Sequence, residues 1–222
     1  MRIVVAGGHG QIALHLNRQL VGRGDEVVAL IRNPAQSDSV AATGAEAVLA
    51  DLETTGVAEL AGRLTGADAV IFAAGAGPGS GVARKDTVDR GAAVLLAEAA
   101  ETAGVRRYLL ISSMGVESPP SVGADETWAA YLRAKRAAEL DVMARRLDWT
   151  VLRPGRLTDD APTDCVTLAD SVPSGDISRA DVAAVLVALL DRPDTAGRVL
   201  EVVSGPEPIP EAVADVAGQT RH

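Results

Sequence analysis

Thiol chemistry has almost no material in this chain. Cys165 is the only cysteine, which excludes an internal disulfide and a cysteine-based metal cluster. Aromatic residues are nearly as scarce: Phe72, Tyr108, Trp128, Tyr131 and Trp149 are all there are in 222 residues. The 47% of apolar residues is therefore mainly Ala, Val and Leu, and helices built from them must pack closely. No apolar run approaches the ~18 to 20 residues that span a bilayer, and the start lacks the regions of a secretory signal. A cytoplasmic protein with no membrane partner is the expectation. An excess of basic charge is missing too. The formal net charge of −9 argues against a nucleic-acid partner, because a phosphate backbone is bound by a basic face. A phosphorylated small ligand stays open, since screening limits exposed charges to about 8 Å at physiological salt and one local arginine can outweigh a distant acidic surface.

The apolar residues that are present fall into an ordered pattern. Strand-like runs at 2–6, 26–31, 47–49, 69–73, 108–111, 150–152 and 199–203 alternate with helical spacing over 11–23, 57–64, 87–103, 127–147 and 179–190. This order predicts a single α/β domain of Rossmann type, with a doubly wound parallel sheet covered by helices on both faces. Stretches 75–84, 117–126 and 156–176 are rich in Gly, Pro or Asp and follow strands. Loops at that end of a parallel sheet surround the ligand crevice, so they are expected as substrate walls, with plain solvated connection as the alternative.

The first strand runs directly into Gly7-Gly8-His9-Gly10-Gln11-Ile12-Ala13. Strand, Gly-x-x-Gly-x-x-Ala and helix in immediate succession predict a dinucleotide site. Gly7 permits the tight turn, Gly10 lets backbone approach a pyrophosphate, and Ala13 keeps helix and sheet close. The helix start offers N–H groups and the positive end of its dipole. A purely structural turn is the competing explanation. Arg32-Asn33-Pro34 follows the second strand, 22 positions beyond Gly10. An acidic residue there would grip the ribose 2′-hydroxyl of NAD. The arginine fork suits a 2′-phosphate instead, which favours NADP, unless it is an ordinary strand-end arginine. Asp51-Leu52, past the third strand, would lie beside the adenine, though Asp51 could simply cap the next segment.

Ser112-Ser113 closes the strand at 108–111, and Tyr131 and Lys135 stand four apart on a helix. Residues at that spacing share a face, so a phenol and an ammonium can point into one cleft. In this order the chain resembles the short-chain dehydrogenase/reductase superfamily, especially its atypical NAD(P)-binding, NAD-dependent epimerase/dehydratase-like members. The pieces are Gly7-x-x-Gly10-x-x-Ala13, Arg32-Asn33-Pro34, Ala73-Ala74-Gly75, Ser112-Ser113, Tyr131-x-x-x-Lys135, Leu152-Arg153-Pro154-Gly155 and the segment at 177–183.

The resemblance implies Tyr131 as acid/base, Lys135 as holder of the nicotinamide ribose and electrostatic partner of the tyrosine, and Ser113 as hydrogen-bond donor to a substrate oxygen. A free phenol has a pKa near ~10, so proton exchange at neutrality asks for a neighbouring cation. The resemblance also implies cofactor contacts at Gly7, Gly8, His9, Gly10, Gln11, Ile12, Arg32, Asn33, Asp51, Leu52, Ala73, Ala74, Gly75, Ser112, Lys135 and Pro154. Arg179 and Asp181 match a segment that usually packs back on the core, where a structural salt bridge is at least as good a reading as a catalytic one. Only 68 residues follow Pro154, which leaves room for a small lid at 155–177, and a second subunit is a candidate to complete the pocket. The function expected is an NADP-dependent oxidoreductase, or an epimerase working through a transient ketone, on a carbonyl or secondary alcohol of a small molecule. The alternatives are an NADP(H)-sensing regulator without turnover and a flavin-type reductase.

Overall fold

The computed structural model describes residues 1–77, 79–118 and 125–218. In chain order its strands are β1 (Arg2–Ala6), β2 (Glu26–Ile31), β3 (Glu46–Leu49), β4 (Ala69–Phe72), β5 (Arg107–Ile111), β6 (Asp148–Pro154), β7 (Arg156–Thr158), β8 (Cys165–Ala169), β9 (Asp176–Ser178), β10 (Arg198–Ser204) and β11 (Glu207–Pro208). Its helices are α1 (Gln11–Gly22), α2 (Ser37–Ala41), α3 (Val57–Leu64), α4 (Val82–Arg84), α5 (Ala93–Ala103), α6 (Glu126–Ala144), α7 (Arg179–Leu190) and α8 (Ile209–Gly218). A π-helical segment, Lys85–Ala92, joins α4 to α5.

Alternate residues of β1 serve opposite sides. Ile3 and Val5 join one apolar cluster, Val4 and Ala6 the other, and all four are fully buried. A strand buried on both faces requires helices on both. The parallel strands lie in the order β3-β2-β1-β4-β5-β6-β10, and the chain reverses direction of growth between β1 and β4. One face is covered by α1, α7 and α8 through Leu16, Leu20, Val182, Leu186 and Val213. The other is covered by α3, α5 and α6 through Leu60, Leu64, Leu96, Ala138 and Val142. Ala93, Ala97 and Ala100 of α5 are fully buried, the close approach that a chain poor in aromatics must make. Tyr108 is among the largest fully buried side chains. Its hydroxyl donates to the Ala93 carbonyl at 3.1 Å, and burial pushes the phenol well above its ordinary pKa. It is a core residue whose hydroxyl keeps its proton.

Two expectations need correction. The 156–176 stretch, read as irregular, contains β7 and β8. β8 buries Val166 and Leu168 on alternate positions and pairs antiparallel with both β10 and β11, extending the main sheet, while β7 pairs with β9 in a separate two-stranded ribbon. A strand with one buried face shows period-two alternation and not the continuous apolar run of a doubly covered strand. Asp181, fully buried at the start of α7, accepts the backbone N–H groups of Thr163 and Asp164 and so ties this segment down. Arg179 pairs with Asp159 at 2.8 Å and not with Asp181. The helix expected at 87–103 is in fact α4, the π-helical segment and α5 in succession, beginning at Val82. Of the stretch at 117–126, residues 119–124 lie outside the described residues, as does Pro78 in the stretch at 75–84. Among the described residues no helix is long and apolar enough to cross a membrane.

Candidate functional site

The glycine turn occupies the point where strand order reverses, at the carboxyl end of β1. Gly7 has φ +77°, and a Cβ there would stand 2.5 Å from Ala74 Cα. A Cβ on Gly8 would stand 2.5 Å from the Ala29 methyl. Neither position has space for a side chain. Gly10 N–H donates to the Gly7 carbonyl at 2.8 Å, and the fully buried Asn17 of α1 donates to the Gly8 carbonyl at 3.0 Å. Gly10 is the N-cap of α1 and no side chain caps the helix, so its first-turn N–H groups and dipole face outward from the turn. Bare backbone beside an uncapped helix start fits the pyrophosphate of a dinucleotide.

A crevice opens from this turn across the ends of β2, β3 and β4. Gly7, His9 and Gly10 form one wall; Arg32, Asp51, Leu52 and Glu53 form another; Ala73, Ala74 and Gly75 continue the floor. Leu30, Val88 and Ala92 add apolar surface suited to a purine ring. The Asp51 carboxylate accepts the Glu53 N–H at 3.0 Å. Asn33 lies outside the lining and caps the 3₁₀ turn Pro34–Gln36 by accepting the Ala35 N–H at 3.0 Å. The Arg32 side chain is about half exposed, at 51%.

Tyr131 and Lys135 come together beyond the edge of this crevice. Lys135 Nζ lies 5.9 Å from the Tyr131 ring centroid and 5.5 Å from that of Phe72. The ammonium is buried, donates to the Ile111 carbonyl at 3.0 Å and stands 3.5 Å from Asp89 Oδ1. Asp89 is fully buried on the π-helical segment, and its other oxygen accepts the Ala76 N–H at 3.2 Å. A buried carboxylate thus links the β4 exit turn to the helix carrying Tyr131. On the open side, Trp128 stacks on Tyr131 with ring centroids 5.2 Å apart, and Lys85 Nζ sits 5.3 Å from the Tyr131 centroid. Ser113 Oγ donates to the Met114 carbonyl at 3.1 Å, whereas the Ser112 hydroxyl is buried with no hydrogen-bond partner among the described residues. Pro154 is buried and its carbonyl accepts the Met114 N–H at 3.1 Å.

Buried charge also fixes the helix and the serine loop against β6. Arg153 makes a two-pronged pair with the fully buried Glu139 of α6, at 2.8 and 2.7 Å, and reaches Glu117 at 2.9 Å. Burial opposes the guanidinium charge, yet the hydrogen bonds to Glu139 and Glu117 prevail and hold its pKa above the ordinary value. In return the Arg153 hydrogen bond keeps the Glu117 carboxyl below the usual carboxylate range.

A glycine turn at a strand reversal, continued by a crevice with apolar and cationic walls, is the architecture of dinucleotide proteins, and the comparisons agree. A family model described as NAD(P)H-binding matches residues 7–193. The chain belongs to this family. Among its relatives is the uncharacterised sugar epimerase YhfK of Bacillus subtilis, 35% identical over 214 residues that cover 96% of this chain and 99% of the relative. A solved structure from Bacillus halodurans, assigned to the NAD-dependent epimerases/dehydratases, superposes with TM-score 0.89 at 34% identity, covering 97% of this chain and 99% of that one. The oxidoreductase ylbE of Lactococcus lactis superposes with TM-score 0.86 at 27% identity, covering 100% and 99%.

Of the residues that this family pattern nominated, Gly7, His9, Gly10, Arg32, Asp51, Leu52, Ala73, Ala74 and Gly75 line the crevice. Gly8 lies behind the turn, Gln11 and Ile12 open α1, and Ser112, Ser113, Tyr131, Lys135 and Pro154 lie outside the lining. Arg84 ends the 75–84 stretch expected as a crevice wall, while Glu53, Val88 and Asp89 escaped the sequence reading. Val88 and Asp89 sit within Lys-Asp-Thr-Val-Asp-Arg, whose dense charge looks solvated, and only the wider π-helical turn sends Asp89 inward. Glu53 directly follows Asp51-Leu52, the one signal that could have found it.

Proposed function

We propose that this protein is an NADP-dependent oxidoreductase acting at a carbonyl or secondary alcohol of a small molecule, with epimerisation through a transient ketone as the variant that uses the same parts. The observation that carries the reading is the meeting of Tyr131 and Lys135 at the carboxyl end of the sheet, next to a crevice whose outer wall presents Arg32. The Gly7–Gly10 turn and the start of α1 would hold the pyrophosphate, Asp51, Leu52, Val88 and Ala92 the adenine, and Arg32 the 2′-phosphate. The nicotinamide, when bound, supplies or accepts the hydride. Tyr131 gives or takes the proton at the substrate oxygen, flanked by the ammonium groups of Lys85 and Lys135, the charges that proton exchange at a phenol requires. Lys135 is anchored by the Ile111 carbonyl and Asp89, so it steadies Tyr131 from beneath. Ser113 would turn its hydroxyl from the Met114 carbonyl to the substrate oxygen.

The test is NADPH oxidation over a panel of aldehydes and ketones, with Tyr131→Phe in parallel. Loss of about 100-fold or more in kcat with NADPH binding intact is the expected result. Equal rates in the two proteins would remove Tyr131 from the chemistry, and flavin reduction that is indifferent to the substitution would put a direct hydride acceptor in place of the carbonyl.

A further inference from the structure

We infer that Glu53, acting with Arg84 and Arg32, is the specificity-determining residue that sets the balance between NADP and NAD, an inference that rests on the dinucleotide reading above. Glu53 Oε2 receives the Arg84 guanidinium at 2.7 Å and stands 3.7 Å from Arg32 Nη1. Its other oxygen receives the Thr87 hydroxyl at 2.7 Å. Glu53, Arg84 and Arg32 all line the crevice. Glu53 and Arg32 stand in the turns after β3 and β2 and Arg84 closes α4, so three separate segments deliver their charges to one place, as no single stretch of sequence could.

The cluster is charge-imbalanced, with one carboxylate facing two permanent cations. Arg32 is held at the longer distance and is half exposed, so it is loosely tied. Arg84 is held closely and is two-thirds covered. A 2′-phosphate brings more negative charge and three acceptor oxygens, and would take both guanidinium forks from Glu53. The carboxylate left beside it would then repel it. The 2′-hydroxyl of NAD makes the opposite demand, because it needs an acceptor, and Glu53 is an acidic group of the kind that grips a ribose hydroxyl. One crevice therefore carries both recognition chemistries. Glu53 weakens the phosphate-bearing coenzyme and supports the other, and the protein prefers NADPH by less than its two arginines alone would give.

Isothermal titration calorimetry of the full chain tests this without turnover, using NADPH, NADH and the adenosine-end fragments 2′,5′-ADP and 5′-ADP. In Glu53→Gln, NADPH and 2′,5′-ADP should bind more tightly and NADH and 5′-ADP more weakly, moving the ratio of the two coenzyme Kd values about tenfold toward NADPH. Arg84→Met should move the ratio the other way. If NADPH binds but both variants keep the wild-type ratio within about twofold, the inference is overturned while the dinucleotide reading stands. If neither coenzyme nor fragment binds the wild-type chain at millimolar concentration, the reading itself falls and takes the inference with it.

Discussion

The glycine-turn crevice and the Tyr131 cluster beyond its edge are kept in shape by different forces. At the first, backbone does the work: Gly7 and Gly8 leave no space for a Cβ, and Gly10 closes the turn on the Gly7 carbonyl. The charges there, Arg32, Glu53 and Arg84, are partly exposed and can exchange partners. At the second end the charges are sunk into the protein. Lys135 and Asp89 face each other under Tyr131, and Arg153 grips Glu139 inside the joint between α6 and β6. Charges near water exchange partners at little cost. The buried ion pairs under Tyr131 are costly to desolvate and costlier to break singly.

This contrast can be broken experimentally, beginning with the buried end. Arg153→Met leaves the fully buried Glu139 with the more exposed Arg136 at 3.0 Å but without its two-pronged partner, and should cost about 3 to 4 kcal/mol in denaturant unfolding. Glu139→Gln in the same chain should recover part of that loss. A cost below about 1 kcal/mol would mean that this joint is not held by charge. Lys135→Met should cost somewhat less, about 3 kcal/mol, because the Asp89 contact is longer at 3.5 Å. Adding Asp89→Asn should be less than additive if the two groups are coupled.

At the backbone-built end, Gly7→Ala meets both the left-handed φ and Ala74, and should destabilise the fold by about 2 kcal/mol. Its sharper effect should be on NADPH affinity, read by calorimetry, because the turn has to shift to admit the methyl group. Unchanged affinity would show that the turn does not contact the coenzyme.

The smallest effect is expected at the rim of the buried network. Arg153 lowers the pKa of Glu117, so this group adds stability above its unfolded pKa and loses it as pH falls through the lower folded value. The Glu117 side chain is 59% exposed, which limits its contribution to a few tenths of a kcal/mol. Stability measured below the ordinary Glu pKa of about 4.3 should fall slightly less steeply in Glu117→Gln than in the natural chain.

How much could be read in advance follows the same division. The glycine turn, the parallel strands and α7 were visible because they depend on short-range rules: no side chain where backbone bends, continuous apolar runs where both faces are covered, caps at helix ends. β8 escaped because it buries one face only, so its buried residues alternate with partly exposed ones. Asp89 escaped because it lies among exposed-looking charges, and its burial comes from a π-helical winding that no local spacing announced.

The residues alone determined that this chain must wind a helix-covered parallel sheet and begin it with a bend free of side chains, since burial periodicity and steric exclusion act over a few neighbouring positions. Only the tertiary structure decided that Glu53 would stand between Arg32 and Arg84, and that Asp89 would lie beneath Lys135. Those meetings join residues 21, 31 and 46 positions apart, and charges so distant along the chain find each other only when the fold brings their segments together.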